Sequence, residues 1–217
     1  MAKRLNVMIS SSVHGNEQLL KRVEIYLNNL GGAYRVWLSH SGTLPTNSAL
    51  SAFENCLEAV RQCDVFVGLI TGNYGSGMDE RGGLSITHQE MSLALTLSKQ
   101  RILLVDERVV LARELLKPYR MPADQGPFRK KDDDYLPIGW PPRHPILSDL
   151  KVLDLYDELI QANSGLLPSQ RAGNWVQPYK SDDDALRIID AQLGDVKRIR
   201  KQIKDATHQT PPAETEV

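Results

Sequence analysis

The spacing of apolar residues changes repeatedly between residues 4 and 116, and this alternation restricts the fold more than any other feature. Short segments with alternating or continuous apolar residues predict strands, whereas apolar residues every three or four positions predict helices. A regular order of strand and helix is typical of a parallel sheet covered by helices on both faces, so we predict an α/β fold. The predicted strands are 4–10, 33–39, 65–70 and 101–105, and the predicted helices are 16–30, 48–63, 85–98 and 108–116.

The second half of the chain has a different composition. Residues 117–148 hold seven of the twelve prolines and are predicted to be an insertion or linker, which ends a first domain at residue 116. Residues 149–206 are predicted to be a helical extension of the same domain, with a helix over 149–163, a short strand or ordered loop over 171–180 and a last helix from 181 to about 206. We expect Trp175 to pack on the sheet domain and residues 207–217 to form a disordered tail.

Charge and apolar content exclude several classes of protein. The 217 residues carry 26 Lys and Arg against 27 Asp and Glu, so the balance does not favour a nucleic acid as the main partner. No apolar run reaches the length of a membrane span and no signal peptide is evident, which predicts a cytoplasmic protein without membrane contact. Cys56 and Cys63 are predicted to be reduced, and the scattered histidines do not have the spacing of a metal site.

Polar residues follow the predicted strands at one edge of the sheet. Ligands of parallel sheets bind at the carboxyl ends of the strands, which places residues 10–12, the loop after Leu38 and residues 71–90 along one edge. Five of the fourteen residues in 71–84 are glycine, as in a lid or in a loop that approaches a ligand closely. Neither a GxxxxGK[ST] nor a GxGxxG sequence is present, so a P-loop or Rossmann nucleotide site is not predicted.

Glu90 is the candidate catalytic residue of this edge. A carboxylate can hold ribose hydroxyls, stabilise an oxocarbenium-like transition state or attack the anomeric carbon of a nucleoside. The candidate substrate-binding residues supply hydroxyls and a second carboxylate: Ser10, Ser11, Ser12, Asp64, Tyr74, Ser85 and Thr87.

Structural roles explain the same residues equally well at this stage. Thr87 to Glu90 fits a capping box, in which each side chain bonds the other residue's backbone amide. Asp64 is equally consistent with a cap or turn, Ser10 to Ser12 with the N-cap of the first helix, and His88 with a surface position.

Several of these segments together resemble a known family. The segments ISSS (9–12), CLEAVRQCDVFVGLITGNYGS (56–76) and GLSITHQEMSLAL (83–95) look like domain-of-unknown-function family 4062. The stretches VLDLYDELI (152–160), RAGNWVQ (171–177) and DDALRIIDAQL (183–193) look like the end of its short, stand-alone bacterial members.

The resemblance carries expectations about fold and function. That family is similar in layout to Toll/interleukin-receptor-like domains and to nucleoside deoxyribosyltransferases, which implies a flavodoxin-like, doubly wound sheet of about five strands. It implies that Glu90 stands at the position of a catalytic glutamate and Asp64 at that of a substrate-orienting aspartate. Related domains are often effectors or sensors in bacterial anti-phage systems, and some cleave NAD.

Two functional hypotheses remain open on the sequence. The first is a nucleotide N-glycosidase or NAD-hydrolase-like protein, with NAD or another nucleotide as substrate and no required cofactor. The second is a non-catalytic module that senses a nucleotide in the same cleft or self-associates through the sheet surface. The expected partners are therefore a small nucleotide and a second copy of the chain.

Overall fold

Five strands form one sheet in which every neighbouring pair is parallel. A computed structural model describes residues 3–75, 83–97, 99–120, 144–161, 167 and 175–209. The strands are β1 (Leu5–Ser11), β2 (Tyr34–Trp37), β3 (Val65–Ile70), β4 (Gln100–Asp106) and β5 (Val176–Tyr179). The helices are α1 (Glu17–Asn29), α2 (Ala52–Gln62), α3 (Ile86–Thr96), α4 (Glu107–Arg120), α5 (Lys151–Gln161), α6 (Asp182–Leu193) and α7 (Val196–Gln209).

The strand order is β2-β1-β3-β4-β5, which is the flavodoxin-like order. The predicted fold class is therefore confirmed, and the central, fully apolar segment is β3, whose six residues are all buried. β2 pairs with one edge of β1, and β3, which comes later in the chain, pairs with the opposite edge of β1. This reversal opens a crevice between the carboxyl ends of β1 and β3, where ligands of such sheets bind.

Successive residues of the strands supply two separate apolar layers. Val65, Val67 and Leu69 of β3 face a cluster that contains the buried side chains of α1, α6 and α7. Phe66 and Ile70 face the opposite cluster, to which α2, α3 and α5 contribute. Because a strand alternates its side chains between two faces, a continuous apolar run is what a sheet covered on both sides requires.

The C-terminal half differs from the prediction in several details. The single helix predicted to end at 206 is two helices, α6 and α7, which meet at Gly194, and α7 continues to Gln209. β5 lies within the segment 171–180 that was predicted to be a short strand or ordered loop, and it completes the sheet. Trp175 is 81% exposed, so the expectation that it packs on the sheet is wrong.

Part of the predicted linker is ordered against the sheet domain. Leu147 is completely buried in the cluster that contains α5, and the Ser148 amide donates to the Gly72 carbonyl at 2.8 Å. Residues 121–143 and 210–217, which carry the rest of the predicted linker and tail, lie outside the described residues. None of the helices in the described ranges has the length and apolar content that crossing a membrane requires.

Candidate functional site

A cavity of about 360 Å³ opens beside the carboxyl ends of β1 and β3. This volume falls within the range of small-molecule sites in proteins. Apart from Glu90 and His14, the described lining side chains are uncharged. The lining consists of Ile9, Ser11, Ser12, Val13, His14, Ser39, Asn73, Gly75, Ile86, Thr87, Glu90 and Ser148.

Glu90 places a buried carboxyl group against this cavity. Its residue surface is only 5% exposed, and the Ser10 hydroxyl donates to Oε2 over 2.5 Å. The Cys56 thiol of α2 hydrogen-bonds the same carboxyl group. Burial raises the pKa of Glu90 to about 7, because desolvation of the charged form outweighs the opposite effect of the two hydrogen bonds. Near neutral pH the carboxyl group therefore exists in both protonation states.

Cys56 remains protonated over the same pH range. Burial and the neighbouring Glu90 raise the pKa of its thiol to about 12, so Cys56 serves Glu90 as a hydrogen-bond donor. Cys56 and Cys63 are both free cysteines, as predicted.

The capping-box interpretation of Glu90 is wrong. Helix α3 begins at Ile86 with Ser85 as its N-cap, whose hydroxyl accepts from the His88 amide at 3.3 Å. Glu90 is thus a full turn inside the helix and points towards β1, where it meets Ser10. Thr87 lines the cavity instead. A Cβ atom at Gly75 would lie 3.3 Å from the Thr87 hydroxyl.

A second polar cluster forms the wall contributed by the ends of β1 and β3. The hydroxyls of Ser12 and Thr71 are hydrogen-bonded at 2.8 Å, and the Asn16 amide donates to the Thr71 hydroxyl at 3.1 Å. The Asn73 amide donates to the His14 carbonyl at 2.8 Å, which joins the loop after β3 to the loop after β1. The wall is therefore held in place before any ligand arrives. Asn16, and none of Ser10 to Ser12, is the N-cap of α1.

Tyr74 and Ser85 lie behind the cavity wall rather than in it. The Tyr74 hydroxyl contacts His88 Nδ1 at 2.8 Å and accepts from the Ser85 amide at 3.4 Å. His88 Nε2 in turn contacts Glu158 of α5 at 2.9 Å. His88 is only 4% exposed, so its predicted surface position is wrong. This chain of contacts supports the backbone of the wall, and the structure does not bring Tyr74 or Ser85 to the ligand side.

Asp64 lies at the opposite edge of the sheet. It precedes the first residue of β3, and its carboxylate accepts from the Asn6 amide at 2.7 Å. Ser10, which hydrogen-bonds Glu90, is paired in the sheet with Gly68, four residues after Asp64. A strand rises about 3.3 Å per residue, so roughly 13 Å of β3 separates Asp64 from the level of Glu90. The expectation that the two carboxylates share one edge is wrong.

Several lining residues were missed in the sequence. Asn73 lies within the glycine-rich loop and Ser39 within the loop after β2. Both loops are predicted to be near a ligand because they follow the carboxyl ends of strands, but the sequence does not show which of their side chains line the cavity. Ser148 falls in the segment assigned to the linker, and it also accepts from the Tyr74 amide at 3.0 Å. Nothing in the sequence marks Cys56 as a partner of Glu90.

The described residues contain no group of three or more His, Cys, Asp or Glu side chains placed to hold a metal ion. The polar side chains among the lining residues are five hydroxyls, the Asn73 amide, the His14 imidazole and the Glu90 carboxyl group. These groups suit an uncharged polar ligand surface such as the hydroxyls of a sugar.

A protein-family model, the domain of unknown function DUF4062, matches residues 6–130, which is more than half of the chain. The chain belongs to the DUF4062 family. The match extends from β1 through α4, and therefore includes both strands that flank the cavity and the helix that carries Glu90. No curated protein matches this DUF4062 chain.

Solved structures resemble the DUF4062 protein over different lengths. A CMP N-glycosidase from Clostridium botulinum is 12% identical and covers 87% of this chain and 99% of its own, with a TM-score of 0.43. A conserved protein from Enterococcus faecalis is also 12% identical and covers 88% and 100%, with a TM-score of 0.41. A 2-deoxyribosyltransferase from Bacillus psychrosaccharolyticus is 26% identical and covers 46% and 72%, with a TM-score of 0.31.

Proposed function

We propose that this protein cleaves or transfers the N-glycosidic bond of a small nucleotide or nucleoside, with Glu90 as the catalytic residue. The observation that carries the proposal is the buried carboxyl group at the β1–β3 crevice, held by Ser10 and open to a cavity of small-molecule size. A raised pKa in a buried carboxyl group that borders a cavity is typical of a catalytic residue.

The ionised form of Glu90 suits the chemistry of this bond. As the bond to the base breaks, positive charge develops on the sugar ring, and a carboxylate stabilises it or attacks the anomeric carbon. The stabilisation is strong because burial leaves little water to screen the charge. The Ser10 hydroxyl fixes the carboxylate orientation, and Asn73, Ser12 and Thr87 line the cavity where the sugar and base would bind.

The protonation state of Glu90 predicts a pH profile for this reaction. Because the nucleophilic or stabilising group is the carboxylate, activity requires loss of its proton. We therefore expect kcat/KM to rise with pH and to reach half of its plateau near pH 7. A rate that falls through the same range would instead assign Glu90 as a general acid.

Base release tests the proposal directly. Purified protein is incubated with nucleosides, nucleoside monophosphates and NAD, and the free base is measured by chromatography. We expect Glu90→Gln to lose at least about a hundredfold in rate, since the amide preserves shape but has no charge to offer. Glu58→Gln provides the matched control, because Glu58 lies on the surface of α2, where it pairs with Arg61 and Gln62.

Ligand binding separates catalysis from sensing. A nucleotide that raises the melting temperature of both the wild-type protein and Glu90→Gln, with no base released by either, would contradict the catalytic role. It would show that the same cavity serves as a binding site.

A further inference from the structure

Helix α7 carries an excess of positive charge that the site at the crevice does not use. Among residues 196–205, the part of α7 whose side chains are described, there are five Lys or Arg side chains and one carboxylate, Asp205. This excess is local, because the whole chain has a formal net charge of -1. Clustered like charges repel one another in the compact state, so the arrangement costs stability unless an anion offsets it.

The cations lie on one face of the helix. Lys197, Lys201 and Lys204 are separated by four and three residues, so their side chains project from the same side over about 10 Å of helix. The Arg200 guanidinium next to them donates to the Lys3 carbonyl at 2.6 Å, which brings the N-terminal segment to this face. Lys3 and Arg4 are both exposed. We call these six residues the α7 basic face: Lys3, Arg4, Lys197, Arg200, Lys201 and Lys204.

Within the part of the chain that the structure describes, none of the six side chains forms an ion pair. Other surface cations behave differently: Lys21, Arg61 and Lys180 each lie within 4 Å of a glutamate carboxylate. The basic face is therefore a surface on which described cations are grouped without an ion pair, and Asp205 is the one described carboxylate of the same helix.

The apolar side of α7 is already occupied. Ile199 is 1% exposed, and Val196 and Ile203 pack on the same core cluster. The large apolar side chains exposed among the described residues lie elsewhere, so no apolar anchor stands between the cations. The lack of apolar anchors argues against three kinds of partner. A membrane-surface helix needs an apolar face to insert, and a protein interface is usually centred on apolar or aromatic anchors. Single-stranded nucleic acid needs aromatic rings for stacking.

We infer that the α7 basic face binds the phosphate backbone of a nucleic-acid duplex without reading its sequence. A row of flexible cations with no stacking or apolar groups matches the chemistry of backbone contacts, which release counterions from the duplex. The face adjoins residues that precede β1, and the cavity lies after β1, about 23 Å further along the strand. Bound duplex would therefore leave the cavity accessible.

Fluorescence anisotropy with a labelled DNA duplex of about 20 base pairs tests this inference. We expect measurable affinity at low salt, with log K falling by about 5 per decade of salt if the six cations contact phosphates. The triple variant Lys197→Gln, Lys201→Gln and Lys204→Gln should weaken binding at least tenfold and reduce this slope by about 3. Melting curves confirm that the variant is folded.

A second triple variant controls for total charge. Lys21→Gln, Arg61→Gln and Lys180→Gln removes the same three charges from other surfaces and should bind the duplex within about twofold of the wild-type protein. Equal losses in the two variants would overturn the inference, as would the absence of duplex binding. Binding to phosphatidylserine vesicles that depends on the basic face, without duplex binding, would also overturn it. Glu90→Gln should bind duplex like the wild-type protein, which separates this outcome from that of the proposed function.

Discussion

At the scale of single residues, Glu90 buries in the protein interior a carboxyl group whose charged form is more stable in water. Its carboxyl group has a pKa of about 7 in the fold, against 4.5 for an ordinary glutamate. Between these values the folded protein binds more protons than the unfolded chain, so the free energy of unfolding decreases as pH rises from about 4.5 to about 7. The full change is on the order of 3 kcal/mol and persists above pH 7.

Replacing Glu90 by Gln should therefore stabilise the protein at alkaline pH. We expect the variant to exceed the wild type by about 1–3 kcal/mol at pH 8 and to differ by less than about 1 kcal/mol at pH 5, since the amide does not ionise. Urea unfolding at the two pH values measures the difference. Glu58→Gln, a surface change, should stay within about 0.5 kcal/mol of the wild type at both. A less stable Glu90→Gln at pH 8 would mean that the carboxylate supports the fold.

The sequence predicted some of these residue roles and could not predict others. Glu90 was identified as a candidate, but deciding between cap and site depended on whether α3 starts after Ser85 or after Thr87. Such a difference is within the usual uncertainty of a helix boundary. The position of Asp64 follows from strand direction, since a residue before β3 lies at the edge away from the carboxyl ends. Trp175 is exposed although its large apolar ring predicts burial, because ring size alone does not show which surface is available to cover it.

At the scale of elements, His88 joins three segments that the chain keeps far apart. The Glu158 carboxylate can only accept, and the hydrogen bond from His88 lowers its pKa. His88 Nε2 therefore donates to Glu158, which in the neutral ring leaves Nδ1 to accept from the Tyr74 hydroxyl. The link connects the loop after β3, α3 and α5. Glu158 lies 70 residues after His88, so no local pattern could reveal the pair.

Removal of the Tyr74 hydroxyl should weaken this link measurably. Tyr74→Phe leaves a buried imidazole nitrogen and the Ser85 amide with one partner fewer, and we expect a loss of about 1–2 kcal/mol in the free energy of unfolding. In the double variant Tyr74→Phe, Glu158→Gln, the loss in the free energy of unfolding should differ from the sum of the two single losses by more than about 0.5 kcal/mol, because both side chains contact the His88 ring.

The matched control for this cycle is Tyr26→Phe. Tyr26 donates to Asp190 on the exposed surface between α1 and α6 and shares no partner with Glu158. Its change should cost less than about 0.5 kcal/mol and add simply to that of Glu158→Gln. If Tyr74→Phe and Glu158→Gln were also additive, the three residues would not act as one connected network.

At the scale of the whole molecule, the two halves of the chain share their cores. Leu153 and Leu159 of α5 and Ile189 and Leu193 of α6 are completely buried, on opposite sides of the sheet. The alternating pattern of residues 4–116 was sufficient to predict the α/β class, because buried strands and amphipathic helices have clear periods. It did not show that the four residues of β5 complete the sheet, since a segment this short has little pattern of its own.

A chain that ends after Arg120 should therefore fail to fold by itself. It retains β1 to β4 but loses β5, α5, α6 and α7, which removes part of the cover of buried side chains such as Leu104 and Val67. We expect aggregation and no cooperative thermal transition in circular dichroism. A chain that lacks only residues 210–217 should melt within about 2 °C of the full protein. A monomeric, cooperatively melting 1–120 chain would show that the first half is an independent domain.

The late position of β5 in the chain also affects folding during synthesis on the ribosome. During synthesis, 73 residues separate Asp106, the last residue of β4, from Tyr179, the last residue of β5. At about 5–20 residues per second, the ribosome needs roughly 4–15 s to add them. Throughout that interval β4 exists as an unfinished edge with apolar side chains such as Leu103 and Leu104 still uncovered. We therefore expect the nascent chain to be prone to aggregation until its last strand has emerged.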